Sequence, residues 1–250
     1  MRFPRVFFGG GYERPSDLQR WLMAKAALVT GGSSGIGLAI ARMLAAEGFE
    51  LTLASRTKEK IEAAAADLGA LAVAADVAKE EECRRLVDEH GERHGRLDVL
   101  VNSAGIGIGG KIDELPAKHL DLQLDINLRG LMLVTAAALP LLRESRGLIV
   151  NLASIAGTIP AAQLPVYAAS KAAVISFTRS LNAGEEEHGV RATALSPGFV
   201  DTPMAEWSGL EPDEMIQPED CAEVVRTLLR LSPRARLPHV VIERLGEGFA

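Results

Sequence analysis

The sequence has 250 residues, of which 48% are hydrophobic and 24% are charged, and its formal net charge is −6. A chain of this length can bury one sizeable core, and the composition is that of an ordinary globular protein. The negative charge, with basic residues scattered along the chain, disfavours nucleic-acid binding, and no long uncharged apolar run predicts a membrane span. We therefore expect neither nucleic acid nor a membrane as a partner.

Residues 1–23 are predicted to be an N-terminal appendage without chemistry, and residues 24–250 to form a single domain. The basic and then apolar beginning is too short for a secretion signal. A capping-box spacing favours a short helix from Asp17 to Leu22. The alternative is that Met23, just before the first predicted strand, is the true start of the protein.

From Ala26 onward, short aliphatic runs alternate with longer segments whose small and apolar residues recur at helical spacing. The predicted strands are Ala26–Thr30, Leu51–Ser55, Leu71–Ala75, Val99–Asn102, Leu148–Leu152, Arg191–Leu195 and Val240–Glu243. The predicted helices are Gly37–Glu47, Lys58–Leu68, Glu80–His94, Leu120–Arg143, Tyr167–His188 and Pro218–Leu231. This alternation predicts an α/β fold: a doubly wound, Rossmann-type domain with a seven-stranded parallel sheet and helices on both faces. Ligands of such a fold bind at the carboxyl ends of the strands.

A glycine-rich loop joins the first predicted strand to the first helix, with the sequence Gly31-Gly32-Ser33-Ser34-Gly35-Ile36-Gly37. Glycine lets the backbone turn tightly and approach a pyrophosphate, and the free N–H groups at the start of a helix attract the anion. A tight turn without a ligand is the alternative, but the position after the first strand favours a dinucleotide site. The glycine spacing is GxxxGxG, which differs from the common GxGxxG fingerprint.

Arg56 stands at the end of the second predicted strand, where the adenosine ribose of a dinucleotide would lie. An acidic residue there binds a free 2′-hydroxyl, whereas the planar guanidinium of arginine suits a 2′-phosphate. Arg56 therefore predicts NADP(H) as the cofactor. No second basic residue stands in the glycine loop, so NAD(H), with Arg56 as a solvated surface residue, is the alternative.

The most informative pattern is formed by Ser154, Tyr167 and Lys171. Tyr167 and Lys171 are four residues apart on one predicted helix, so their side chains share a face. A phenol has a pKa of about 10 and exchanges protons poorly at neutral pH unless a nearby cation stabilises its phenolate. Lys171 is predicted to be that cation, which makes Tyr167 a candidate acid–base residue.

Together and in this order, the motifs resemble those of the short-chain dehydrogenase/reductase family over nearly the whole chain. The resemblance implies an oxidoreductase that moves a hydride between a nicotinamide cofactor and a carbonyl or secondary alcohol. It further implies that Ser154 polarises the substrate carbonyl, Tyr167 transfers the proton and Lys171 also holds the nicotinamide ribose.

The resemblance adds Asn127 as a fourth catalytic residue. Asparagine is disfavoured inside helices because its amide competes for backbone hydrogen bonds, yet Asn127 falls within the predicted helix Leu120–Arg143. We expect the helix to be interrupted there and to hold a water that passes protons from Lys171 to solvent. The alternative is that the helix simply ends at this point.

The resemblance also implies a set of cofactor-binding residues on the loops that follow the strands. Asp76 would lie at the adenine; read without the family, it would equally cap the next helix. Ser103 stands where the family more often has a second asparagine. The full set is Gly31, Ser33, Ser34, Gly35, Ile36, Gly37, Arg56, Asp76, Val77, Asn102, Ala104, Gly105, Tyr167, Lys171, Pro197, Gly198, Val200 and Thr202. No metal site is expected.

Apolar residues on these loops predict a small, apolar carbonyl or alcohol as the substrate. The candidate pocket walls are Ile106, Ile108, Ile155, Ile159, Leu164, Met204 and Trp207. Two other functions stay open: an NAD(H)-dependent alcohol dehydrogenase, and a regulator that binds a dinucleotide without catalysis. The four intact catalytic positions count against the regulator.

The C-terminal segment that begins at Pro233 departs from the glycine-ended final strand of the family. That end commonly helps to build tetramers, so a homodimer through the two long helices is favoured over a homotetramer. Cys83 and Cys221 are far apart and have no metal-ligand spacing, which predicts two buried, reduced thiols and, by default, a cytoplasmic location.

Overall fold

The computed structural model describes residues 24–246, so the predicted short helix near the N-terminus lies outside the described residues. The strands are β1 (Ala26–Thr30), β2 (Glu50–Ser55), β3 (Leu71–Ala74), β4 (Val99–Asn102), β5 (Leu148–Leu152), β6 (Arg191–Pro197) and β7 (His239–Ile242). The α-helices are α1 (Gly35–Ala46), α2 (Lys58–Leu68), α3 (Glu80–His94), α4 (Ala117–Leu124), α5 (Leu131–Ser145), α6 (Pro165–Gly184) and α7 (Pro218–Arg230). Short 3-10 helices lie at Ile155–Gly157, Glu186–His188, Pro203–Ser208 and Pro212–Glu214.

All seven strands pair in parallel, in the order β3-β2-β1-β4-β5-β6-β7. The chain builds the sheet outward from β1 to β3 and then returns to the other side of β1 with β4. The strand order therefore reverses between β1 and β4, and a crevice opens there at the carboxyl edge of the sheet. The predicted fold class, a doubly wound α/β sheet, is confirmed.

Alternate side chains of the buried strands face opposite layers of helices, as expected when both sheet faces are covered. On one face, Val29 and Leu53 belong to a cluster with residues of α1, α2 and α7. On the other face, Leu28, Leu100 and Ile149 pack with residues of α3 and α5. These two layers hold the strands rigidly and leave the loops at the carboxyl edge to carry the site.

The predicted helix Leu120–Arg143 is the largest departure from the expected elements. It begins earlier, at Ala117, and consists of α4, a π-helical turn at Asp125–Gly130 and α5. The chain stays helical through Asn127, so the alternative of a helix end is wrong. A π-turn adds one residue to a helical turn and often marks a functional site.

The continuous helical segment Ala117–Ser145 has 29 residues, and the mean hydropathy of its most apolar window is 1.4. By length and composition alone it could cross a membrane, which differs from the expectation that the chain has no such run. Val134, Ala138 and Leu142 on its α5 part are fully buried in the core beneath the sheet. These contacts are those of a helix that packs in a protein core.

Candidate active site

The glycine loop leads from β1 into the N-terminus of α1. Its backbone needs glycine: Gly35 has a φ of +52°, and an added Cβ there would lie 2.9 Å from Cγ2 of Thr202. A Cβ at Gly37 would collide with the carbonyl oxygen of Gly31, so the loop and the helix can approach only without side chains. The N-cap residue Ser34 makes no side-chain hydrogen bond to the helix. The N–H groups at this helix end therefore face the crevice without a capping side chain.

A cavity of about 510 Å³ extends from this loop along the carboxyl edge. It is lined by Gly31, Ser33, Ser34, Gly35, Ile36, Ala54, Ser55, Arg56, Thr57, Lys60, Ala75, Val77, Ser103, Ala104, Gly105, Ile106, Gly107, Ile126, Thr202, Pro203 and Met204. Most of the residues expected to bind the cofactor are among them. No acidic side chain lines this cavity in the part of the chain that the structure describes.

Eight residues of the expected cofactor set do not line this cavity. Five of them line the second cavity described below, namely Tyr167, Lys171, Pro197, Gly198 and Val200, and the other three line neither. Gly37 allows the close packing of α1 against the glycine loop that is described above. The carboxylate of Asp76 accepts a hydrogen bond from the N–H of Ala78 at 3.1 Å, which makes a local turn before α3 but does not cap it. Asn102 is buried beneath the site and donates to Thr135 at 3.0 Å and to Asn151 at 2.9 Å.

Lys60 is a basic residue of this cavity that the sequence analysis missed. It lies on α2, four residues after Arg56, and both side chains are exposed at the cavity. The search for a second cation was restricted to the glycine loop. The available signal was the position of Lys60 in the first turn of the predicted helix Lys58–Leu68, shortly after Arg56.

Ser154, Tyr167 and Lys171 meet at the carboxyl ends of β4 and β5. Ser154 follows β5, and its hydroxyl hydrogen-bonds to the phenol of Tyr167. Tyr167 and Lys171 project from the first turns of α6, with Nζ of Lys171 5.5 Å from the centroid of the tyrosine ring. The ammonium donates a hydrogen bond to the carbonyl oxygen of Leu152 at 2.7 Å. The three side chains that the sequence predicted to act together are thus brought together.

Burial controls the acidity of this pair. It raises the pKa of Tyr167 above 10, while the hydrogen bond with Ser154 acts in the opposite direction. Burial also lowers the pKa of Lys171 from 10.5 to about 8. The sequence predicted that Lys171 would lower the pKa of the phenol, whereas in the folded protein desolvation is the largest effect and raises it. The structure holds a neutral phenol at neutral pH, which is the protonation state of an acid.

Asn127 is fully buried within the π-turn, next to this pair. Its side-chain oxygen accepts from the N–H of Ile106 and its nitrogen donates to the carbonyl of Ile106, both at 2.8 Å. The nitrogen also donates to Oγ of Ser170 at 3.2 Å. Asn127 therefore ties the loop after β4 to α6, beside Lys171.

A second cavity, of about 260 Å³, lies on the other side of Tyr167. Its walls are mainly apolar, and Ile155, Ile159, Leu164, Met204 and Trp207 are among them. The other two expected wall residues lie elsewhere, since Ile106 lines the larger cavity and Ile108 lines neither.

Phe199 is a wall residue of the apolar cavity that the sequence analysis missed. Its ring meets that of Trp207 edge-on, with centroids 5.9 Å apart. It follows the Pro197-Gly198 turn, and this position directly after β6 was the available signal.

The larger cavity fits a dinucleotide on several independent grounds. The glycine loop admits a close backbone approach, the N-terminus of α1 offers free N–H groups to a pyrophosphate, and Arg56 and Lys60 offer positive charge at the far end. Ser103, Gly105 and Gly107 line both cavities, so the two spaces adjoin beside Tyr167. A nicotinamide placed there would lie next to the phenol.

The sequence model described as short chain dehydrogenase matches residues 25–212. Because this match covers most of the chain, the protein belongs to the short-chain dehydrogenase family. It is an oxidoreductase that uses a nicotinamide dinucleotide and acts on a small molecule.

Relatives and solved structures agree with this assignment. An uncharacterized oxidoreductase of Staphylococcus epidermidis is 37% identical over 204 residues, which are 80% of this chain and 89% of the relative. An alcohol dehydrogenase of Thermococcus sibiricus, solved with 5-hydroxy-NADP, aligns with a TM-score of 0.83 at 30% identity and covers 89% of this chain and 97% of its own. A 3-ketoacyl-(acyl-carrier-protein) reductase of Brucella melitensis, solved with NADH, aligns with a TM-score of 0.81 at 29% identity over the same shares.

Proposed function

We propose that the protein transfers a hydride between NADP(H) and a small apolar carbonyl or secondary alcohol, with Ser154, Tyr167, Lys171 and Asn127 as the catalytic residues. The observation that carries the proposal is the position of Tyr167. Its phenol is hydrogen-bonded to Ser154 and stands where an apolar cavity adjoins a cavity shaped for a dinucleotide.

The chain's own residues handle the proton and the oxygen of the substrate. When bound, the nicotinamide cofactor supplies or accepts the hydride. In the direction of reduction, the Ser154 hydroxyl donates a hydrogen bond to the carbonyl oxygen, and the neutral phenol of Tyr167 gives its proton to the developing alkoxide. Lys171 lies beside the phenol, and its ammonium supplies the proton that replaces the one lost by Tyr167.

Asn127 is assigned to the route by which protons reach Lys171. The resemblance gives it a water-mediated role, and its position in the π-turn beside α6 supports a place on that route. Its two hydrogen bonds to Ile106 also keep the loop after β4 in place.

The preference for NADP(H) over NAD(H) rests on charge. A 2′-phosphate carries between one and two negative charges at neutral pH and favours an arginine fork. Arg56 and Lys60 both reach the end of the cavity that would hold it, whereas an enzyme for NAD(H) would place an acidic residue there. The absence of acidic side chains from the described lining supports the same choice.

A neutral, apolar substrate is favoured by the lining of the smaller cavity. Apart from Lys171, whose ammonium is bonded to Leu152, no basic or acidic side chain lines it among residues 24–246. A carboxylate or phosphate on the substrate would thus lose its hydration without gaining a partner. Phe199 and Trp207 add large apolar surface to the wall.

The proposal extends to assembly and location. Three alanines are exposed on the outer surface of the two long helices: Ala136 on α5, and Ala169 and Ala172 on α6. Small residues let helices of two copies approach closely, which supports a homodimer through these helices. Cys83 and Cys221 are free and buried, and burial raises their thiol pKa values to about 11 and about 12, as suits a reducing cytoplasm.

The test is a screen of neutral ketones, aldehydes and secondary alcohols with NADPH and NADH, on the purified parent and on Tyr167→Phe. We expect turnover with NADPH in the parent and a loss of at least about a thousand-fold in the variant, because only the transferable proton is removed. Cofactor affinity, measured by fluorescence titration, should stay within about two-fold of the parent value. Unchanged turnover in Tyr167→Phe would reject the assigned role, and tight binding without any turnover would favour the regulator.

A further inference from the structure

Gln123, near the end of α4, is a fully buried polar residue outside the expected catalytic set. Its side-chain oxygen accepts a hydrogen bond from the backbone N–H of Ile108 at 2.9 Å. Its side-chain nitrogen is buried and has no hydrogen-bond partner in the described part of the chain. Burying an amide that is only half satisfied is costly, so packing alone does not account for glutamine at this position.

Asn127 lies one helical turn after Gln123, and both amides are buried on the same side of the segment. Asn127 binds the N–H and the carbonyl of Ile106, and Gln123 binds the N–H of Ile108. The two side chains therefore hold both ends of the three-residue segment Ile106–Ile108. We call this pair of side chains the amide clamp.

Gly107, the central residue of the clamped segment, lies against the tyrosine ring. A Cβ added to Gly107 would be 3.7 Å from Cδ2 of Tyr167, which is ordinary contact distance. Gly107 also lines both cavities. Further along, the N–H of Gly110 donates to the carbonyl of Gln163 at 2.9 Å, so the loop is anchored on either side of the ring.

We propose that Gln123 is a positioning residue: through Ile108 it holds Gly107 against the ring of Tyr167 and so fixes the phenol between the two cavities. Its effect on turnover rests on the function proposed above. Its effect on the loop and on the surroundings of the phenol does not, and these are measurable in a protein that turns nothing over.

The first test compares Gln123→Met, which removes the acceptor at similar length, with Gln123→Glu, which keeps an acceptor oxygen. Lys118→Met, at an exposed position of the same helix, is the matched control. In amide hydrogen exchange, Ile108 should exchange about ten-fold faster in Gln123→Met and near the parent rate in the other two variants. Gln123→Ala removes the acceptor without a new side chain and replaces Gln123→Met if that variant does not fold.

The second test measures the phenol itself. The sequence has two tyrosines, so Tyr12→Phe leaves Tyr167 as the sole tyrosine. Burial raises the pKa of Tyr167, and a loosened loop admits water, so Gln123→Met in this background should move the ultraviolet titration midpoint down towards about 10. Lys118→Met should leave the midpoint where the parent has it.

The kinetic signature is a fall in kcat of roughly three- to ten-fold in Gln123→Met, with the KM for the carbonyl within about two-fold of the parent. Unchanged Ile108 exchange in Gln123→Met, or faster exchange with an unchanged Tyr167 midpoint, overturns the positioning role. Absence of turnover in the parent contradicts the proposed function alone, because the exchange and titration results are obtained without substrate.

Discussion

Lys171 is only 5% exposed, and its ammonium donates to a backbone carbonyl where a carboxylate would be the usual partner. Desolvation of this charge lowers the lysine pKa, and desolvation of Tyr167 raises the phenol pKa. A buried lysine without an acidic partner weakens the fold and is typical of functional sites. The two shifts move the pKa values of the phenol and of the neighbouring ammonium further apart than they are in free side chains.

Replacement of Lys171 by methionine should damage cofactor binding and chemistry together. One lost hydrogen bond from a charged donor corresponds to an affinity for the cofactor about ten- to a hundred-fold lower, and kcat should fall further. Because a buried charge is removed, the melting temperature should not decrease. In the oxidative direction the residual rate should continue to rise into alkaline pH as the phenol ionises.

The measurement pairs a cofactor titration with pH–rate profiles of the parent and Lys171→Met. Arg179→Met, at an exposed position on the same helix, is the matched control and should behave like the parent. A Lys171→Met protein with parental cofactor affinity and a parental profile would show that the lysine takes no part in the reaction.

Arg56 and Lys60 should determine the choice between the two cofactors. Arg56→Asp is expected to raise the KM for NADPH by about ten-fold or more and to lower the KM for NADH, because the carboxylate repels a 2′-phosphate and accepts from a 2′-hydroxyl. Lys60→Ala should raise the KM for NADPH by a smaller factor, because an exposed lysine is a flexible point charge. Lys58→Ala, two residues away and outside the cavity lining, is the control. Equal kinetic constants for both cofactors in the parent would contradict the assignment.

At the scale of elements, the π-turn between α4 and α5 joins Asn127, a proposed catalytic residue, to the cofactor cavity. It ends at Gly130, which is buried against the backbone of Val77, a residue of the cavity wall. The segment after β3 and the π-turn are therefore in direct backbone contact.

Gly130→Ala tests this contact. The new Cβ would lie 2.6 Å from the carbonyl oxygen of Val77, so overpacking should cost about 1–3 kcal/mol of unfolding free energy. It should also weaken cofactor binding, because Val77 lines the cavity. Gly184→Ala, at the end of α6 with nothing within 4 Å of the added atom, should leave both quantities unchanged or slightly improve stability. Denaturant unfolding measures the change in unfolding free energy of the two variants, and cofactor titration measures the change in affinity.

At the scale of the whole molecule, the carboxyl edge of the sheet carries the site, and a buried polar cluster far from the catalytic residues affects stability. Nδ1 of His90 on α3 is 2.8 Å from the Thr52 hydroxyl of β2, and Nε2 is 3.0 Å from the carbonyl of Arg96. A carbonyl only accepts, so Nε2 carries the proton and Nδ1 accepts from Thr52. Burial and the neighbouring His94 lower the pKa of His90 from 6.5 to about 3.

This shift predicts a loss of global stability on acidification. Between about pH 6.5 and 3 the unfolded chain binds a proton at His90 and the folded protein does not, so the unfolding free energy falls as pH falls through this range. The contribution of one such group is about 1.4 kcal/mol per pH unit. Denaturant unfolding of the parent and of His90→Gln between pH 7 and 5 should show a shallower pH dependence in the variant. Parallel curves would mean that His90 has the same pKa in the folded and the unfolded protein, which would contradict the predicted shift.

Much of the fold and part of the candidate site could be predicted from the order of residues along the chain. Continuous apolar runs such as Val99–Asn102 indicate strands buried on both faces, and short-range spacing places Tyr167 and Lys171 on one side of a helix. The glycines of the first loop are likewise a local signal, because the conformation they permit depends only on their own backbone. These features indicated the family, the cofactor class and the candidate catalytic trio.

Only the tertiary structure determined the properties that depend on burial and on contacts between residues distant in sequence. The rise in the Tyr167 pKa follows from desolvation, which no spacing encodes. The family resemblance implied Asp76 and Asn102 as cofactor-binding residues, and only the structure shows that neither lines the two cavities and that their side chains hydrogen-bond to Ala78 and Asn151. Gln123 was overlooked because its partner, Ile108, is fifteen residues earlier in the chain and reaches it only when the loop after β4 folds back over the helix. Sequence order thus specifies local conformation and pattern, whereas the electrostatic and positional properties of the site arise only when distant segments exclude water from one another.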